Sequence, residues 1–176
     1  RESDNPDPVS VAGKTFADAA RCVPEDPDHC VIRLGLPLGD SLTGDKGAVD
    51  WIDSRFRRGR PVTLFRDELR SCVSCDSVGH AVPTALAVGA RGLYHFGGTR
   101  SWTLHAIGQY VLTRGSYPPH LLSGIYRSDE RDGPPRIGNV SLQCMKWSRD
   151  FGEHLHNDGV DYVSPGASRL RVTGAA

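Results

Sequence analysis

The sequence predicts an α/β fold in which strands and helices alternate through right-handed crossovers. Two observations carry that prediction. Residues 30–36 (C-V-I-R-L-G-L) and 92–96 (G-L-Y-H-F) are nearly continuous apolar runs of strand length, as expected of parallel strands covered on both faces. Around them lie segments whose apolar residues recur at helical spacing. A chain of 176 residues that is 38% hydrophobic and 24% charged has the composition of one ordinary globular domain with a core of its own.

In chain order, residues 12–23 read as an amphipathic helix, and 30–36 as a central strand. Residues 46–58 form the clearest helix. Ala48, Val49, Ile52 and Phe56 share a face, Asp50 and Asp53 sit early, and Arg55, Arg57 and Arg58 sit late as its solvated end. Gly59 and Pro61 stop it. Val62–Phe65 and residues 71–74 are short strands separated by the charged turn Arg66-Asp67-Glu68. Asp76 is the expected cap of a helix with an apolar stripe of Val78, Val82, Ala85 and Leu86. Pro83 lies inside that helix, where a proline typically costs ~3 kcal/mol, so a kinked or short helix is expected. After the strand at 92–96 and Gly97-Gly98, Ser101 is expected to cap a helix over 102–113 with Leu104, Ile107 and Val111 inward. The helices at 46–58 and 102–113 are expected to flank the sheet that holds 30–36 and 92–96. Beyond about residue 150 the periodicity fades, which divides the chain into residues 1–150 and a loosely ordered tail over 151–176.

The charge balance excludes some functions. Lys plus Arg number 21 and so do Asp plus Glu, so no global field favours nucleic acid. Only Lys14, Lys46 and Lys146 among those basic residues are lysines; the excess of Arg suits bidentate anion contacts but equally reflects codon composition. No apolar stretch approaches the ~20 residues that span a bilayer, and no basic-then-apolar leader is visible, so no membrane partner and a cytoplasmic location are expected. The chain begins at Arg1 within a polar loop and reads as a piece of something longer.

Cys22, Cys30, Cys72, Cys75 and Cys144 are an odd set without regular spacing, which suits free thiols better than a disulfide framework. Cys72-x-x-Cys75 has no second pair at finger-like distance, and His154 and His156 lack a third ligand, so no metal is expected.

The segment Pro8-Val9-Ser10-Val11-Ala12-Gly13-Lys14-Thr15-Phe16 resembles the P-x-S-x-Y-G-R-T-K opening of the catalytic helix in extended short-chain dehydrogenases/reductases. In those enzymes Tyr and Lys lie four residues apart on one helix face, and the ammonium lowers the phenol's pKa for proton transfer. Here those two positions are Ala12 and Phe16, neither of which can carry a proton, and Lys14 points about 200 degrees away from Phe16 at roughly 100 degrees per residue.

The likeness continues through V-I-R-L-G-L-P-L-G, G-A-V-D-W-I-D-S-R-F-R-R-G-R-P-V-T-L-F-R-D-E-L-R-S, D-S-V-G-H-A-V, G-L-Y-H-F-G-G and P-P-R-I-G-N-V-S-L. Together these resemble the carboxy-terminal half of the dTDP-4-dehydrorhamnose reductase-like branch of that family, over residues 1 to about 146. The resemblance implies an incomplete Rossmann-like fold, a nucleotide-diphosphate sugar as ligand, and NAD(P) for the full-length family. It places Arg70 and Arg136 where family arginines reach the diphosphate, a task that suits the bidentate guanidinium fork. No glycine fingerprint for a dinucleotide follows a strand, since Gly97-Gly98 lacks a third glycine and a downstream acid. No cofactor is therefore expected on this chain alone, and a missing Rossmann half or a homologous subunit is the expected partner.

Three readings follow. The chain is a fragment of a nucleotide-sugar reductase or epimerase that is inactive alone, or a non-catalytic nucleotide-sugar-binding or docking module, or a decayed gene product in which Pro83 and the featureless end are local conflicts with the fold.

Overall fold

The computed structural model describes residues 1–23, 28–130 and 133–152. Helix α1 (Val11–Cys22) is followed by strands β1 (Cys30–Leu34) and β2 (Leu36–Leu38), helix α2 (Ala48–Arg57), and strands β3 (Val62–Phe65) and β4 (Leu69–Ser74). Helix α3 (Cys75–Ala87), β5 (Gly92–Phe96), β6 (Ser101–Thr103), α4 (Leu104–Arg114), β7 (Leu122–Ile125), β8 (Asn139–Val140) and α5 (Met145–Phe151) complete the order.

The apolar run at 30–36 is not one strand. It divides at Gly35, where a Cβ would stand 2.1 Å from the Ser71 carbonyl oxygen and 3.3 Å from Gly97 Cα. Only glycine lets these three segments meet. Before the break, β1 pairs in parallel with β5, Cys30 opposite Gly92 and Leu34 opposite Phe96. After it, β2 pairs in parallel with the second half of β4, Leu36 opposite Cys72. The first half of β4 pairs antiparallel with β6 and in parallel with β8. β3 and β7 form a third, parallel pair. Strands 30–34 and 92–96 thus share a sheet as the sequence predicts. Yet β1 is only half-buried, Leu34 is exposed, and among the described residues its second edge is unpaired. The expected cover on both faces of β1 is absent there.

β4 separates two cores. Leu38, Val49, Ile52, Phe56, Val62, Cys72, Ile107, Val111 and Leu121 form one, which is why α2 and α4 lie against β3 and its neighbours and do not flank β1 and β5. Val73, Ala81, Ala85, Tyr94, Phe96 and Trp147 form the other, where α3 and α5 do the flanking. Trp147 has no exposed surface and meets Phe96 at 4.7 Å and Phe151 at 4.5 Å between ring centroids. Phe151, placed in the tail by the sequence, therefore belongs to the second core; residues 153–176, with His154 and His156, lie outside the described residues.

Several local expectations shift by a residue or two. Ser74, not Asp76, caps α3, accepting from the Ser77 N–H at 2.9 Å. Thr103, not Ser101, caps α4, accepting from Ala106 N–H at 3.0 Å, because Ser101 is engaged in β6 opposite Ser71. The buried stripe of α3 is Ala81 and Ala85, which leaves Val82 and Leu86 exposed. α3 runs on through Pro83, and the residue one turn earlier, whose carbonyl the ring crowds, is Gly79. Arg55 and Arg57 are not merely solvated. Arg55 donates from Nε and Nη2 to the Pro61 carbonyl at 3.2 and 2.9 Å, and Arg57 pairs with Asp53 at 2.8 Å.

α1 forms where expected, capped by the Ser10 hydroxyl accepting from Gly13 N–H at 3.1 Å. No residue of it is buried, and Phe16 is 75% exposed. Among the described residues no helix is long and apolar enough to cross a membrane.

Candidate functional site

Parallel strands deliver their loops to the same end, and in open α/β sheets ligands collect at the carboxyl ends of strands. β3 and β7 finish side by side, Phe65 opposite Ile125, and the turns that follow carry Arg66-Asp67-Glu68 and Arg127. Asp67 accepts from the Arg127 backbone N–H at 3.1 Å and from its Nε at 3.0 Å, which ties the two turns together.

Glu68 is the centre of this end. Its side chain is 3% exposed, and each carboxylate oxygen accepts from a different guanidinium: Oε2 from Arg70 Nη2 at 2.8 Å, Oε1 from Arg136 Nε at 2.7 Å. A buried carboxylate needs this pairing, since desolvating an unpaired charge costs several kcal/mol.

The structure thus brings Arg70 and Arg136 to one carboxylate, but in unlike states. Arg70 lies within β4 rather than before it, and its side chain is 16% exposed. Its Nη1 donates to the carbonyls of Leu69 at 2.8 Å and Gly138 at 3.0 Å, which pins the backbone two residues after Arg136. Arg136 is more open. Its guanidinium lies 3.9 Å over the Phe65 ring, and among the described residues only its Nε makes a hydrogen bond; Nη1 stands 3.6 Å from Glu130 Oε2. A planar cation stacked on an aromatic face, about a third exposed and with its outer nitrogens not hydrogen-bonded among the described residues, suits a contact with phosphate oxygens in which Nη1 exchanges the longer Glu130 ion pair for the ligand.

A second polar group lies at the adjacent ends of β1 and β5. Arg33 and His95 are register partners, with Arg33 Nη1 3.4 Å from His95 Nε2, and the His95 backbone N–H donates to Glu2 at 3.1 Å. An arginine only donates, so this contact is a hydrogen bond in the tautomer whose Nε2 accepts. Burial holds His95 below the usual histidine range, with Arg33 adding to the effect and Glu2 opposing it.

Glu68 and His95 were not singled out from sequence. Glu68 sits in the quoted D-E-L-R-S block, but an acid between an aspartate and a leucine in a charged turn gives no sign of burial. Ala12 and Phe16, which the sequence resemblance sets at the Tyr and Lys positions, both lie on the exposed helix α1. Gly97-Gly98 leads from β5 into strand β6 and not directly to a helix N-terminus, so this glycine pair does not form a pyrophosphate-binding turn. Cys72 is buried in β4 while Cys75 opens α3 at the surface, and no group of three metal-ligating side chains gathers among the described residues.

No curated protein matches the chain. Among solved structures it is similar to a hypothetical dTDP-4-dehydrorhamnose reductase from Sulfolobus tokodaii, at 17% identity and a TM-score of 0.73, over 92% of this chain and 56% of that one. It is similar to dTDP-glucose 4,6-dehydratase from Bacillus anthracis, solved with NAD, at 15% identity and a TM-score of 0.70, over 92% and 54%. It is also similar to the NAD complex of UDP-glucose 4-epimerase from Thermus thermophilus, at 20% identity and a TM-score of 0.65, over 92% and 56%. The chain therefore has the fold of a little over half of each of these proteins. A family model described as the RmlD substrate binding domain matches residues 1–159, and the chain belongs to that family.

Proposed function

We propose that this chain is the nucleotide-sugar-binding half of an NAD(P)-dependent reductase or epimerase of the dTDP-4-dehydrorhamnose reductase type, acting in the cytoplasm and inactive by itself. The observation that carries this reading is Arg136, held over Phe65 with Nε on Glu68 and its outer nitrogens engaged, among the described residues, only by the long Nη1–Glu130 ion pair at 3.6 Å. In this reading Arg136 meets the diphosphate directly, while Arg70 supplies charge and fixes the strand that presents it. NAD(P), where the whole enzyme uses it, belongs to a Rossmann half or to a homologous subunit, where it supplies hydride chemistry.

With Ala12 and Phe16 in place of the proton-transfer pair, turnover loses a general acid that typically contributes about 10²- to 10⁴-fold. Purified chain given NADPH and a dTDP-4-keto sugar is expected to oxidise no more NADPH than a boiled control. Turnover well above that control contradicts the inactive part of the reading.

One observation favours the docking-module alternative. α1 has no buried residue and β1 has an unpaired edge among the described residues, a surface open to docking on an active homologue. Co-purification with an intact, active homologue, abolished by Phe16→Asp, supports docking; failure to associate at micromolar concentration counts against it.

A further inference from the structure

We propose that Glu68 is a positioning residue for ligand binding: its buried carboxylate holds the Arg136 fork at the angle and depth that anion recognition requires. This rests on the nucleotide-sugar reading above and adds to it a residue that never touches the ligand.

Four contacts hold Arg136 in one pose. The Phe65 ring supports its flat face at 3.9 Å, and Glu68 Oε1 takes Nε, the one nitrogen on the inner edge of the fork, at 2.7 Å. Arg70, itself fixed by Glu68 Oε2, donates to the Gly138 carbonyl, and Leu69 N–H donates to the same oxygen at 3.0 Å, so the backbone that carries Arg136 is fixed as well. With Nε held inward, Nη1 and Nη2 are the edge that meets two phosphate oxygens, Nη1 giving up its 3.6 Å ion pair with Glu130. A side chain with four rotatable bonds loses less freedom on binding when it is held in its bound pose beforehand.

An opposite effect competes. Glu68 and Glu130 together offset the charges of Arg70 and Arg136, so removing the Glu68 charge raises the local potential and, if charge alone mattered, tightens anion binding. The sign of the change therefore decides between positioning and simple charge.

The experiment uses the whole chain, with dTDP-glucose and UDP-glucose as titrants and the variants Glu68→Gln, Arg136→Lys and the double substitution. In the free wild-type chain, the Arg136 side-chain Nε–H, assigned by its loss in Arg136→Lys, is expected to be ordered and slow to exchange in NMR. In Glu68→Gln it is expected to become mobile while sugar-nucleotide affinity falls about tenfold. In the Arg136→Lys background Glu68→Gln is expected to change affinity no further. Tighter binding by Glu68→Gln, additive losses in the double variant, or an Arg136 Nε–H as mobile in the wild type as that of exposed Arg21 overturns the proposal. If the wild type takes up neither sugar nucleotide, the nucleotide-sugar reading fails, and the NMR of the free chain alone decides whether Glu68 positions Arg136. If Glu68→Gln does not fold, the wild-type Nε–H measurement still decides it.

Discussion

Cys72 and Val73 are neighbours on β4, neither has exposed surface, and they belong to different cores. Successive strand side chains point to opposite faces, so a single strand is the wall both cores share. β4 then continues backward into Arg70, whose side chain joins the Glu68 cluster.

Trp147 closes the second core from the chain's last described helix. Trp147→Ala is expected to destabilise the fold by about 3–5 kcal/mol. Met145→Ala, two residues away and exposed, is expected to stay within about 0.5 kcal/mol. Urea denaturation followed by circular dichroism measures both, and equal losses would place Trp147 outside the core.

Gly35 and Gly79 make a contrasting pair. A Cβ at Gly35 meets a backbone carbonyl oxygen at 2.1 Å, whereas one at Gly79, within α3, meets nothing within 4 Å. Gly35→Ala is expected to destabilise by about 1–3 kcal/mol or more, and Gly79→Ala to stabilise by roughly 0.5–1 kcal/mol. Melting temperatures moving in the same direction for both contradict the chain crossing at Gly35.

Tyr117 donates to Asp53 Oδ1 at 2.7 Å and is pushed up to about 12, first by burial and then by that hydrogen bond and the Asp53 charge. The folded state keeps the phenol proton after an unfolded tyrosine, near 10, has released it. The contribution to stability is therefore complete below about pH 10 and is lost as pH rises towards 12. Phenolate absorbance should show one late-titrating tyrosine that Asp53→Asn moves back towards 10; no change in Asp53→Asn contradicts the assignment.

Legibility followed periodicity. The helices at 46–58 and 102–113 stand in the sequence because each buries one consistent face, the strand at 92–96 because its apolar run is nearly continuous, and Arg70 and Arg136 could be marked from the blocks that surround them. The break at Gly35 could not, since it depends on Ser71 and Gly97, far away in the chain. The short α5 fell below the length at which helical spacing becomes visible. Glu68 stayed hidden because burial of an acid is a tertiary property: nothing local distinguishes it from its exposed counterparts until Arg136 arrives from 68 residues downstream.

The most direct test is calorimetric titration of the purified chain with dTDP-glucose at low salt. The account predicts saturable binding that Arg136→Met weakens about tenfold or more, with the fold unchanged by circular dichroism. No binding of dTDP-glucose or UDP-glucose, or equal affinity in Arg136→Met, contradicts it.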